Sequence, residues 1–151
     1  MKRFVLTALA ACLFSISCAS VTMKTPDGFG LFDKEDFYKA VSADGVYLQG
    51  KIVKEKGIEA NRDLATWETE LARSLTARGY TPVSKAELAT TDGPARFCEY
   101  EVIFNGEIWS YAVLLSSKGD QLYTIEAGGR KPRFLAKRDA ILAAMKTAQV
   151  K

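Results

Sequence analysis

The 151-residue chain contains no histidine, and that absence removes much of ordinary enzyme chemistry. Histidine is the commonest general base near neutral pH and a principal nitrogen ligand for metals. A Ser-His-Asp or Cys-His site therefore cannot be assembled. There is also no Cys-x-x-Cys, no Walker A loop and no Ser-x-x-Lys. Gly128-Gly129 is isolated and reads as a turn at a strand end, not as a phosphate cradle. No catalytic, cofactor-binding or metal-ligating residue is assigned, and no cofactor is expected. Cys98 stands next to Glu99, whereas a reactive thiol needs surroundings that stabilise the thiolate. A buried, inert thiol is the reading it supports.

Charged residues are what remain. Glu99, Glu101 and Glu126 are candidates for binding a cationic partner, and Arg130, Lys131, Arg133, Lys137 and Arg138 for meeting anionic lipid or an acidic protein. Their placement depends on a meander between Gly93 and Gly128. Asn105-Gly106 is a strong hairpin signal, because both residues tolerate the positive φ of a type I′ turn. It pairs Phe104 with Glu107, Val102 with Trp109, Tyr100 with Tyr111 and Cys98 with Val113. Ser117-Lys118-Gly119 reads as a three-residue turn that sets Tyr123 beside Val113, Ile125 beside Tyr111 and Ala127 beside Trp109. These residues then form one apolar face. The other face, centred on Glu99, Glu101, Ser110, Ala112, Thr124 and Glu126, is expected to be wet. Glu101 and Glu126 flank Ser110 at about 10 Å, two cross-strand steps. That is too wide for carboxylates sharing a proton and at the far edge for an inverting glycosidase pair. A hard cation would need more oxygen ligands than the row supplies.

The elements around the meander follow the same rules. Phe29 to Phe32 reads as a brief strand, and Asp36 to Glu55 as a hairpin about Asp44-Gly45 with Phe37, Val41, Leu48 and Ile52 on one face. Asn61 or Asp63 caps a helix ending near Arg78, with Gly79 as its stop and Leu64, Trp67, Leu71 and Leu75 as its buried stripe. Trp67 belongs to that stripe, so a core role is expected. Tyr80 to Val83 pairs briefly, Ser84-Lys85-Ala86-Glu87 has capping-box spacing for a helical turn, and Thr90 to Pro94 is loop. Gly128-Gly129 ends the sheet, and a closing helix runs from about Arg133 to Ala148 with Phe134, Ile141, Leu142 and Met145 inward. The sum is an α+β domain, an antiparallel sheet of about six strands flanked by two main helices.

The first residues are a targeting segment. Lys2 and Arg3 precede an apolar run from Phe4 to Ile16, too short for a comfortable membrane span. A cysteine closing such a run resembles the lipobox of bacterial lipoproteins. Leu9-Ala10-Ala11-Cys12 fits the pattern but leaves a very short apolar core. Ser15-Ile16-Ser17-Cys18 lacks the leucine but is better placed, and Cys18 is favoured as the lipidated residue. The expected division is signal peptide 1–17, tether 18–27 and one domain 28–151. Of 21 basic residues two fall in the signal, which leaves the rest within one charge of balance against 18 acidic ones. No nucleic-acid partner follows from that charge.

A tryptophan-bearing helix ending in Gly79-Tyr80, an antiparallel meander, then Thr124-Ile125-Glu126-Ala127-Gly128-Gly129 and a closing helix beginning near Phe134 resemble the PsbP/Mog-like superfamily. The similarity covers residues 26–148, and the bacterial members include DcrB-like and LpqN-like lipoproteins. It implies a sheet flanked by helices, a PsbP/Mog-like sandwich, and an accessory or binding role. With Ala19 after Cys18, similarity to Gram-negative lipoproteins implies sorting to the outer membrane, facing the periplasm. The expectation is thus a lipid-anchored envelope protein with a non-catalytic binding role, its partners the membrane through the N-terminal lipid and an envelope protein. The alternatives are a hydrolase with a dispersed site and a small-ligand carrier.

Overall fold

A computed structural model of the chain describes residues 19–32, 37–53 and 63–151. The signal segment, Cys12 and Cys18, the hairpin's outer ends and Asn61 lie outside the described residues. Its main layer is a seven-stranded antiparallel sheet in the order β2-β3-β4-β8-β7-β6-β5. These strands are β2 Phe29–Leu31, β3 Tyr38–Ser42, β4 Tyr47–Ile52, β5 Thr81–Thr90, β6 Gly93–Phe104, β7 Glu107–Lys118 and β8 Gln121–Arg130. Helix α1, Leu64–Ala77, covers one face and α2, Lys131–Lys146, the other. A second, two-stranded sheet joins β1, Val21–Thr22, to β9, Gln149–Val150.

The hairpin of β6 and β7 forms as its turn chemistry dictates. Asn105 and Gly106 take φ of 51° and 75°, and Phe104 pairs with Glu107. The next turn differs from expectation. Lys118 pairs with Gln121, so Gly119, at φ 59°, leads a two-residue turn in the position that type II′ reserves for glycine. Partners therefore shift by three residues, and an odd shift exchanges the faces of a strand. Val113 pairs with Glu126, Tyr111 with Gly128 and Trp109 with Arg130. Tyr123, Ile125 and Ala127 consequently join Leu114, Ala112 and Phe97 on the Glu99 side.

That side, expected to be wet, holds the larger core. α2 buries Phe134, Ile141, Ala144 and Met145 against Ala112, Leu114, Tyr123 and Ile125. Leu142 only flanks this cluster. On the other side Leu75 and Leu71 of α1 pack on Cys98, Tyr100 and Tyr111, and Trp67 is half-buried. The physical reason lies in Ala112-Val113-Leu114-Leu115, four consecutive buried residues. Such a run marks a strand covered on both faces, not one with a solvated side.

Four local expectations are also corrected. Ala40 pairs with Leu48 and Tyr38 with Gly50, since Ala43, Asp44 and Gly45 form a three-residue turn closed by the bond from the Ser42 amide to the Val46 carbonyl. Tyr38 and Ala40, not Phe37 and Val41, thus share the Leu48 face. Residues 84–87 are strand, because pairing with β6 outweighs a capping signal that no apolar helical stripe follows. β5 is an edge strand with a register shift between Pro82 and Ser84, where proline supplies no amide. Gly128 and Gly129 continue β8, leaving room for Tyr47 and Val46 at 2.8 and 3.0 Å from where a Cβ would stand. Val21, placed in the tether by sequence, is 2% exposed and belongs to the core. At α1, Asp63 is the N-cap, accepting from the Thr66 amide at 2.7 Å.

Candidate functional site: a tyrosine-lined pocket

The three glutamates do not form a strip. Glu99 and Glu101 lie on the α2 side and Glu126 on the α1 side, as the β8 register requires. Ser110 is buried on the α2 side across from Glu101, while Thr124 accompanies Glu126 on the α1 side.

Glu99 and Glu101 meet the basic cluster instead. Arg138 forks onto Glu99, Nε to Oε1 at 2.6 Å and Nη2 to Oε2 at 2.8 Å, and Ser84 donates to Oε2 at 2.5 Å. Burial alone would raise the Glu99 pKa, but the Arg138 and Ser84 hydrogen bonds outweigh it and hold the carboxyl below its usual range. Lys131 reaches Glu101 at 2.7 Å and Arg130 reaches Glu107 at 3.0 Å. Lys137 bonds Asp44 at 2.8 Å and, with Ser42, holds that partly exposed carboxyl down to about 2. Arg133 donates to the Asp44 carbonyl. Each of these five cations is therefore engaged within the chain, tying α2 to the sheet. Glu126 takes Lys51 at 3.0 Å and Gln49 at 2.9 Å. Cys98 is buried, and burial pushes its thiol up, away from reactivity.

A different group converges at the opposite end of the α1 face. Tyr47, Gly128 and Tyr111 form one row across β4, β8 and β7. The glycine lets the Tyr47 ring lie against the backbone. Tyr80, just past the Gly79 stop, stacks on Tyr111 at 5.5 Å and 54°, and Phe104 meets Trp109 edge-on at 6.4 Å and 82°. Together with Arg78 these rings bound an open hollow of about 400 Å³. Burial first, and the Glu126 charge second, push the Tyr47 and Tyr111 hydroxyls well above their ordinary pKa, so both stay neutral donors. The indole N–H of Trp109 is buried with no hydrogen-bond partner among the described residues. Arg78 is exposed and makes no ion pair among them.

Such a hollow can hold a flat apolar group by ring stacking while an anionic or acceptor end meets Arg78. It places no nucleophile beside a general base. Among the described residues, no three of cysteine, aspartate and glutamate gather to hold a metal ion. Sequence reading assigned Tyr111 and Trp109 to the core and overlooked Tyr47, Arg78, Tyr80 and Gly128. The available signal was a glycine in mid-strand, which often marks a close approach.

No protein-family model matches the chain, and no curated protein does. Solved structures do. LpqN, involved in cell envelope biogenesis of Mycobacterium tuberculosis, superposes with a TM-score of 0.62 at 10% identity, over 88% of this chain and 84% of its own. The cyanobacterial PsbP (CyanoP) of Synechocystis sp. PCC 6803 gives 0.60 at 10% identity, over 91% and 96%. The chain has the PsbP/LpqN-like fold. A third protein of this shape, PA94 from Pseudomonas aeruginosa, of unknown function and a putative regulator, gives 0.58 at 8% identity over 80% and 95%. At such identities the PsbP-like likeness is one of fold alone, α+β with a mostly antiparallel sheet. Among the described residues no helix is long and apolar enough to cross a membrane.

Proposed function

We propose that this PsbP-like chain is a lipid-anchored protein of the bacterial cell envelope with a non-catalytic binding role, and that the tyrosine-lined hollow is its binding site. The observation that carries the reading is the convergence of Tyr47, Tyr80, Tyr111, Trp109 and Phe104 about Gly128 with Arg78 at the rim. The ligand class is a ring or apolar side chain bearing an anionic group. Support for the envelope comes from the apolar run closed by Cys18 and from the role of LpqN in cell envelope biogenesis. Acylation at Cys18 would set the domain on the outer membrane, facing the periplasm.

The probe is anilinonaphthalene sulfonate, whose rings and single anion suit this lining. The folded chain should bind it saturably. Gly128→Ala puts a Cβ 2.8 Å from Tyr47 Cε1 and must displace that ring, so binding should be lost. Arg78→Gln should weaken binding without lowering stability. Equal titrations for the wild type and both variants would refute the site.

A further inference from the structure

Among the described residues the two most exposed large apolar side chains are neighbours, Ile103 at 74% and Phe104 at 60%, at the tip of the β6–β7 hairpin. Ile108, at 44%, sits directly across from Ile103. The turn itself needs only Asn105 and Gly106, so nothing in the hairpin's geometry calls for isoleucines in water. Both isoleucines point to the α2 side, in register with Glu101 and Ser110. A hollow of about 410 Å³ lies between Ile108 and the start of α2 at Lys131, Pro132 and Arg133. Leu135, half exposed, follows in the first turns of the helix. Around this end on the α2 side stand Arg130, Lys131 and Arg133 with two carboxylates, Glu101 and Glu107. Cations are in surplus.

We infer that this end of the domain, with Ile103, Ile108 and Leu135 foremost, rests in the headgroup layer of an anionic bilayer. The apolar side chains stand at the hairpin tip, Ile108 also bordering the hollow, with basic residues beside them. An apolar tip with basic residues beside it is what an interfacial site requires, because apolar groups enter the acyl boundary while cations remain among the headgroups. Val21 packs in the cluster on the same side of the sheet, but β1, clasped to β9 beside Asp92 and Lys118, lies at the opposite end of the strands from the tip. The tyrosine hollow is on the other side and stays open to solvent. The inference is independent of that pocket.

Hydrogen exchange of the full chain, read by mass spectrometry, tests it with phosphatidylglycerol or phosphatidylcholine vesicles. On phosphatidylglycerol, exchange should slow over residues 102–109 and 130–136. That protection should diminish with added salt and be absent on phosphatidylcholine. Ile103→Glu/Ile108→Glu should abolish it while leaving the β1–β9 amides protected as in the wild type, and Ile108→Ser alone should weaken it. Vesicle-bound chain whose tip exchanges as in solution would overturn the inference, and so would a chain that binds neither vesicle. Protection that survives in the double variant would overturn it as well. Tip protection that appears without lipid and grows with protein concentration would assign the surface to a second copy. Acylation is read separately by a fatty-acid label, so a failed anchor and a failed tip are distinguishable.

Discussion

Arg138→Met should be costly, and the structure sets how costly. The substitution leaves the Glu99 carboxylate, with its side chain 11% exposed, without its two charge-assisted bonds, keeping only the one from Ser84. Breaking a buried pair costs about 3–5 kcal/mol, and the lower end applies because the Arg138 side chain keeps 35% of its surface in water. Glu99→Gln retains an acceptor for Ser84 and lets Arg138 turn outward, so about 1 kcal/mol is expected. In the Glu99→Gln background the Arg138→Met penalty should largely vanish, a coupling of about 2 kcal/mol. Urea denaturation of the four proteins measures it. Acid supplies a second readout with a definite sign. In the wild type the folded Glu99 pKa lies below its unfolded value. Its contribution is thus fully present above about pH 4.3 and is lost as pH falls through the folded value. In Arg138→Met burial dominates, the folded pKa lies above the unfolded one, and the variant should recover stability on acidification. Additive single costs, or parallel pH curves for wild type and Arg138→Met, would refute the account.

Gly50→Ala should act at a distance from every site, since its Cβ would stand 2.8 Å from Val21 Cγ1 and 2.9 Å from Met23 Cε. A loss of about 1–3 kcal/mol is expected, with faster amide exchange confined to β1 and β9; unchanged exchange there would mean that β1 is not held as described. Cys18→Ser should abolish labelling by a fatty-acid analogue and release the protein from membranes, while Cys12→Ser should do neither. Label that persists in the first and vanishes in the second identifies Cys12 as the acylated residue.

Local chemistry was legible where one signal dominated. Asn105-Gly106 set the β6–β7 register to the residue, and Asp63 with Gly79 bounded α1, because positive φ and an orphaned helix amide each admit few residue types. The β7–β8 register was not legible from Ser117-Lys118-Gly119-Asp120. A glycine there can close a three-residue turn or open a two-residue one, and the choice belongs to the strands it joins. That one ambiguity carried Glu126 to the other face and dissolved the acidic row. The ion pairs of Glu99 and Glu101 depend on how α2 crosses the sheet, a long-range fact that no local pattern encodes. Tyr47, Tyr80 and Tyr111 come from three separated segments, so their convergence needed the β4–β8 pairing. The run Ala112 to Leu115 was legible and should have argued for cover on both faces.

The small β1–β9 sheet also orders events in time. Thr22 bonds Gln149 across 127 residues of chain, and the Ser20 and Lys151 amides exchange bonds with each other's carbonyls at 2.9 Å. β9 is synthesised long after β1, so the residues that clasp β1 come late. Until they arrive, Val21 has no strand partner, and the side of the core beneath Gly50 stays open. A ribosome pausing before β9 would hold a domain complete in its main sheet yet unfastened. Closing so long a loop is slow compared with forming the local hairpins. Loss of residues 149–151 should leave such a protein folded but unlatched, its amino-terminal strand free for proteases to find.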